Sequence, residues 1–219
     1  MKIKKQDVLF FGGCILVLLP FFVSKEVYNF YINFNAAHGF IASAIKFAVL
    51  ATAGECIGLR IRKGVYNEPG FGILPRAFVW ALLGVAIKAA FIIFIAGTPK
   101  VLAAAGLHNM PKVLTAFSIS VALNTIFAPV FMTLHKITDI HILQTGGALR
   151  GLFTPIPFGK IISTMDWQRQ WDFVFKKTIP LFWYPAHTIT FLLPETWQTL
   201  FAAFLGVVLG VLLALAAKK

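Results

Sequence analysis

Apolar residues run along this chain in long blocks, with polar and basic residues gathered between them. Windows at about 8–23, 38–59, 76–97, 114–135, 179–194 and 197–217 each approach the roughly 20 residues a helix needs to cross a bilayer. The pattern predicts an all-α polytopic bundle of about six transmembrane helices forming one domain. The longest stretch between windows, from Thr138 to Lys177, divides in two. Its first half holds Gly146, Gly147, Gly151, Pro155, Pro157 and Gly159, which is turn chemistry. In its second half, Ser163-Thr164-Met165-Asp166 is a capping signal, followed by Trp167, Trp171, Val174 and Phe175 at helical spacing. Arg169, Lys176 and Lys177 lie opposite, so an amphipathic helix over about 164–177 is expected in the membrane interface.

Composition supports lipid as the solvent. The chain is 58% hydrophobic and only 13% charged, more apolar than a soluble domain of 219 residues could bury. The net charge of +12 would suggest nucleic acid in a soluble protein. Here its placement points to anionic headgroups and to orientation, with no nucleic-acid partner expected. With the N-terminus inside, Lys2, Lys4, Lys5, Arg60, Arg62, Lys63, Arg76, Lys136, Arg150, Lys160, Arg169, Lys176, Lys177, Lys218 and Lys219 all fall inside. Only Lys25, Lys100 and Lys112 fall outside, so both termini are expected in the cytoplasm of a bacterial inner-membrane protein. The opening MKIKKQD and the run to Val23 imitate a signal peptide, but no small-residue cleavage site follows, which predicts an uncleaved first helix. Cys14 and Cys56 lie in apolar runs without metal-ligand spacing and read as packing residues.

Ionisable residues inside apolar windows are costly and need a partner or a wet cavity. Lys88 stands twelve residues into the third window, near the expected bilayer centre, where an ion pair with Glu55 and a place on a polar path are equally open. Lys46, nearer the outer end of the second window, can snorkel, and Glu55 could reach Arg60 or Arg62. Asn124 in the fourth window suits helix gluing or pore lining, and Pro129 breaks the same helix. His187 lies in the fifth window beside Pro185, with Pro194 at the window's end. Lys88, Glu55, Lys46, Asn124 and His187 are thus the candidate polar path. His135, Asp139 and His141 have loose metal-ligand spacing without a fourth ligand, so no metal or other cofactor is expected. Ala202, Gly206, Gly210 and Ala214 form a small-residue seam that lets another helix approach, within the monomer or in a homo-oligomer. No nucleotide-binding loop, nucleophile elbow or paired acidic motif is present, and no enzyme activity is expected.

The C-terminal half resembles the Mpv-seventeen family of mitochondrial and peroxisomal membrane proteins and their bacterial relatives. Asp166-Trp167, Trp183-Tyr184-Pro185, His187-Thr188, Thr190-Phe191 and Leu193-Pro194 are similar to the family's end block. Asn124 to Pro129 resembles its D-Q-x-x-x-x-P helix, and Ala51-Thr52-Ala53-Gly54 with Gly58 its T-A-G…G helix. Tyr184 stands where the family has tryptophan, Thr190 replaces its asparagine, and His187 or Thr188 its glutamine. The resemblance covers about residues 40–215 and implies a divergent member of bacterial type. It carries over Pro129, Asp166, Trp167, Pro185, Phe191 and Pro194, and implies a channel or passage for small metabolites. Two functions follow as expectations: a channel or transporter for small solutes, or a non-transporting scaffold that binds anionic lipid.

Overall fold

The structure, a computed structural model, describes residues 4–216, and among these the regular structure is all helical, with no strand. Four helices are long and apolar enough to cross a membrane: α1 (Lys5–Val23), α3 (Gly39–Lys63), α4 (Ile73–Ala104) and α10 (Glu195–Ala216). A fifth candidate is the pair α5 (Lys112–Ile126) and α6 (Ala128–Gln144), bent by 46° at their junction. The remaining elements are α2 (Lys25–Ala37), a 3-10 turn at Leu149–Phe153, α7 (Phe158–Thr164), α8 (Trp167–Arg169), a π-type stretch at Gln170–Trp183, and α9 (Tyr184–Leu192).

Helix α3 is the axis of the bundle. Ser43 Oγ donates to the Gly84 carbonyl at 2.8 Å, Phe47 stacks on Trp80, and Glu55 meets Arg76, so α4 runs antiparallel to it. Lys46 meets Thr199, and a Cβ on Gly54 would meet Val207, so α10 runs parallel to it. Both contacts depend on absent side chains. A Cβ on Gly84 would lie 2.8 Å from Phe47 Cβ, and one on Gly54 2.9 Å from the Val207 backbone. Close backbone approach of this kind is the packing mode of helices in lipid, where apolar burial alone does not drive association. The α10 seam therefore works within the monomer, and it splits: Gly210 faces the Gly54 carbonyl, while a Cβ on Gly206 would meet nothing within 4 Å.

Helix α1 touches the rest mainly at its ends. At the end carrying the basic residues of α3, called here the basic end, Arg60 grips Asp7 through Nε (2.7 Å) and Nη2 (2.6 Å), and Tyr66 donates to the same carboxylate. Burial, then that hydrogen bond, push the Tyr66 phenol up to about 12. At the other end Phe21 packs edge-on to Tyr31 of α2. Between them Leu16 and Val17 stay exposed, which suits a lipid-facing surface. Helix α2 has no counterpart in the apolar windows. Ser24 caps it by accepting the Val27 N–H, and its mixed polar and apolar sequence hides it from a hydropathy reading.

The prolines act differently from one another. Pro129 occupies the first turn of α6, where its missing N–H costs nothing, and the bend between α5 and α6 falls just before it. Pro185 likewise sits in the first turn of α9, and Pro180 is absorbed in the wider π-type winding. The chain is therefore helical from Trp167 to Leu192, where separate elements over 164–177 and 179–194 were expected. Pro194 does break the chain: Leu193 before it is extended, as residues preceding proline prefer, and α10 begins at Glu195.

Because Gly54 abuts backbone and Gly206 abuts open space, substitutions at the two should separate cleanly. Gly54→Val is expected to destabilise the protein by about 1–3 kcal/mol through overpacking, while Gly206→Ala leaves thermal unfolding in detergent unchanged or slightly raised.

Candidate functional site

Helices α3, α4, α6 and α10, with the π-type stretch, surround a cavity of about 640 Å³. Along α3 its wall extends from Phe47 to Arg62, fifteen residues apart and thus about 22 Å at 1.5 Å per residue. The basic end holds Arg62, Lys63 and Lys136, and exposure of Lys63 and Lys136 marks this end as the mouth. The far end is closed by Phe47, Phe91, Leu123 and His187.

A belt of mutually paired groups crosses one wall. Arg76 Nη1 contacts both Glu55 of α3 and Asp139 of α6, and Arg76 Nε donates to the Phe71 carbonyl at 2.7 Å. Its guanidinium also lies 4.5 Å from the centre of the Phe71 ring. Trp80 Nε1 donates to Glu55 at 2.7 Å, and His135 Nε2 stands 3.3 Å from the same oxygen, its ring tilted against that of Trp80 with 4.4 Å between ring centres. Arg76 and Trp80 share one face of α4 by i,i+4 spacing, as His135 and Asp139 do on α6. The side chain of Arg76 is 7% exposed, whereas Glu55 and Asp139 keep about a fifth of theirs, so the carboxylates face the cavity past a buried cation.

The closed end is organised by an amide and an imidazole. Asn124 Nδ2 donates to the Ser120 carbonyl at 2.8 Å, and His187 Nδ1 lies 3.0 Å from Nδ2 and 3.2 Å from Oδ1 of the same amide. Ser120 Oγ in turn donates to the Tyr184 carbonyl at 2.8 Å, locking α5 against α9. Trp183, Phe91 and Phe191 surround the imidazole, with Trp183 closest at 4.9 Å between ring centres. Donors and acceptors meet here among aromatic rings, at the end of a passage whose wall is otherwise largely apolar.

Of the residues proposed for a polar path, Glu55, Asn124 and His187 line this cavity, and Lys46 and Lys88 do not. Lys88 pairs with Glu195 at 2.7 Å rather than with Glu55, and its stem lies against Gly39. It is thus level with the first residues of α3 and α10, because α4 is 32 residues long and runs well past both. Lys46 is buried instead of snorkelling, bonded to Asn35 and to Thr199 (3.1 Å) with the Tyr31 ring beside it, and it ties α2, α3 and α10 together. Glu55 reaches neither Arg60 nor Arg62, since Arg60 is committed to Asp7. His135 and Asp139 turn to the belt, and His141 bonds the Gly151 carbonyl at 3.0 Å, so the three do not converge as metal ligands.

No family model, curated protein or solved structure matches this chain.

The remaining landmarks have structural places. Asp166 caps α8 by accepting the Arg169 N–H at 2.9 Å, Trp167 Nε1 donates to the Ile162 carbonyl, and Phe191 packs edge-on to Phe91 in the core. Ala202, Gly206 and Gly210 line the cavity, and Ala214 is fully buried. The residues that sequence reasoning missed are Arg76 and Asp139 as a pair, and Asp7 as the partner of Arg60. One signal was available: Arg76 falls at the edge of one apolar window and Asp139 just beyond the next, on α4 and on the second half of the bent α5–α6 pair.

Arg76→Gln leaves two carboxylates facing each other without their cation. It should cost about 3 kcal/mol of stability, the low end for a broken buried pair because the carboxylates are part-exposed. Arg76→Gln combined with Glu55→Gln should recover part of that loss in thermal unfolding, which a purely packing role for Arg76 would not allow.

Proposed function

We propose that this chain is a channel or transporter for small solutes, with the cavity as part of the path. The observation that carries the reading is the cavity itself: an internal space inside an apolar bundle, with a charged mouth, a belt of ionisable groups and a polar pair at its closed end. Bundles that only anchor or scaffold gain nothing from such a space, and each buried ionisable group in lipid has a cost that function must justify. In this reading the chain crosses the membrane six times, by α1, α3, α4, the bent α5–α6 pair, the helix from Trp167 to Leu192, and α10. The first part of that fifth helix lies along the interface, and the basic end faces the cytoplasm of a bacterial inner membrane, as the distribution of Lys and Arg favours. The reading is non-enzymatic. It also places the chain as a divergent member of the Mpv-seventeen family, whose motif prolines Pro129, Pro185 and Pro194 coincide here with a helix bend, a change of helical winding and a helix break.

The test is solute efflux from proteoliposomes loaded with a size series, from succinate through sucrose to a dextran. Wild type should release the small members and retain the dextran. Gly206→Phe, which fills the cavity from α10, and His187→Phe should each lower release several-fold in protein that keeps its thermal unfolding profile, while Lys88→Leu should not. A wild type no more permeable than empty liposomes, or release indifferent to both cavity substitutions, would contradict the proposal.

A further inference from the structure

The cavity has an asymmetry that specifies a ligand more closely than its volume does. Resting on the reading of this space as part of a transport path, we infer that it accepts a single-chain acidic amphiphile, a long-chain carboxylate or a lysolipid of like charge, with its head at the mouth and its acyl chain inside.

At the mouth, Arg62 is exposed and forms no ion pair among the described residues, unlike the neighbouring Lys63, which is held by Glu68 at 2.7 Å. The Arg62 guanidinium folds back over α3, with Nη1 3.2 Å from where a Cβ of Gly58 would stand. Glycine at 58 thus gives this cation its place on the cavity wall. Across the mouth Lys136 has only a loose contact with Asp139, at 3.9 Å. Two cations with unused donors face an opening whose acidic groups are already engaged: Glu68 with Lys63, and Glu55 and Asp139 with Arg76. An anionic head is the complement.

Behind the mouth the walls contributed by α10 and the π-type stretch are largely apolar, interrupted by Gln170 and Thr178, with Leu209, Leu213, Phe173 and Val174 leading toward Ile87 and Leu123. The belt on the opposite wall offers few free donors, because its carboxylates are already bonded to Arg76 and Trp80. A path of about 22 Å along α3 is long enough for an extended acyl chain, and each methylene moved from water adds about 0.8 kcal/mol of transfer free energy. Helix α10 packs on α3 and α9, and the π-type stretch packs on α5 and α9, so their remaining lengths face each other across the cavity. A ligand that partitions into lipid could enter between them.

The experiment is binding of radiolabelled palmitate to the protein in nanodiscs of zwitterionic lipid, against empty nanodiscs, with octanoate, succinate and palmitoyl-lysophosphatidylglycerol as competitors. Saturable palmitate binding is expected, displaced by the lysolipid and not by succinate, with octanoate far weaker. Arg62→Gln should weaken it roughly tenfold, the loss of a charge-assisted contact. Gly206→Leu, which occupies open space on the apolar wall, should abolish it without lowering the unfolding temperature. Displacement by only one of the two long-chain amphiphiles in an Arg62-dependent manner supports the inference and names the head group. Binding unchanged in both variants means partition into the surrounding lipid and overturns it. Solute efflux in the liposome assay without saturable palmitate binding overturns the inference and leaves the transport reading standing; absence of both overturns the two together.

Discussion

An arginine buried among apolar helices has to be neutralised where it stands, and Arg76 meets that demand with two carboxylates drawn from different helices. Glu55 comes from α3 and Asp139 from α6, so a single guanidinium fixes the spacing of α3, α4 and α6 on one side of the bundle. The interaction is directional, unlike apolar contact in lipid, which distinguishes poorly between one helix arrangement and another. Three helices held by such a cation resist collapsing onto each other, and the space they leave is the cavity. Removing water from around the pair strengthens it, while the part-exposed carboxylates keep one face hydrated. Structural and functional requirements converge on the same groups.

Two other polar anchors complete the frame, and each secures one end of the bundle. At the basic end the Asp7–Arg60 pair pins the start of α1 to α3, leaving most of α1 free of the rest. At the opposite end Lys46 gathers α2 and α10 onto α3 through Asn35 and Thr199. Between these anchors close approach takes over, with Gly54 and Gly84 letting α10 and α4 reach the α3 backbone. On the α5 side, Ser120 and Asn124 hold α9 and orient His187 at the closed end. The ionic and amide contacts thus set the positions, and the glycines set the distances.

Much of this frame was legible in the sequence, and the rest was hidden for identifiable reasons. The helical class and the apolar windows at α1, α3, α4 and α10 follow from hydropathy, which reads transfer free energy directly. A helix start near Asp166, Asn124 as a gluing amide and the small residues of α10 were readable because their roles are local or follow from side-chain size, although the cap is Asp166 itself and the helix starts at Trp167 rather than near 164. The partners of charged residues were not. Lys88 looked central because its window was centred on it, whereas α4 overshoots α3 and α10, and only the relative lengths of packed helices reveal its level. Pairing of Arg76 with Asp139 depends on an antiparallel hairpin whose register no spacing rule supplies. Helix α2 escaped because its apolar and polar residues alternate too evenly to form a window.

The central claim is that a water-accessible space opens at the basic end and runs inside the bundle along α3, walled in part by α10. Single cysteines at Gly206 and Leu209, in a protein with Cys14 and Cys56 replaced by serine or alanine, test it most directly against Leu212, which faces outward from the same helix. Treated in sealed vesicles with a membrane-impermeant thiol reagent, both cavity positions should react from the side carrying Arg62 and not from the other, while position 212 stays unreactive. Cavity positions as inert as position 212, in a stably folded protein, would contradict the account.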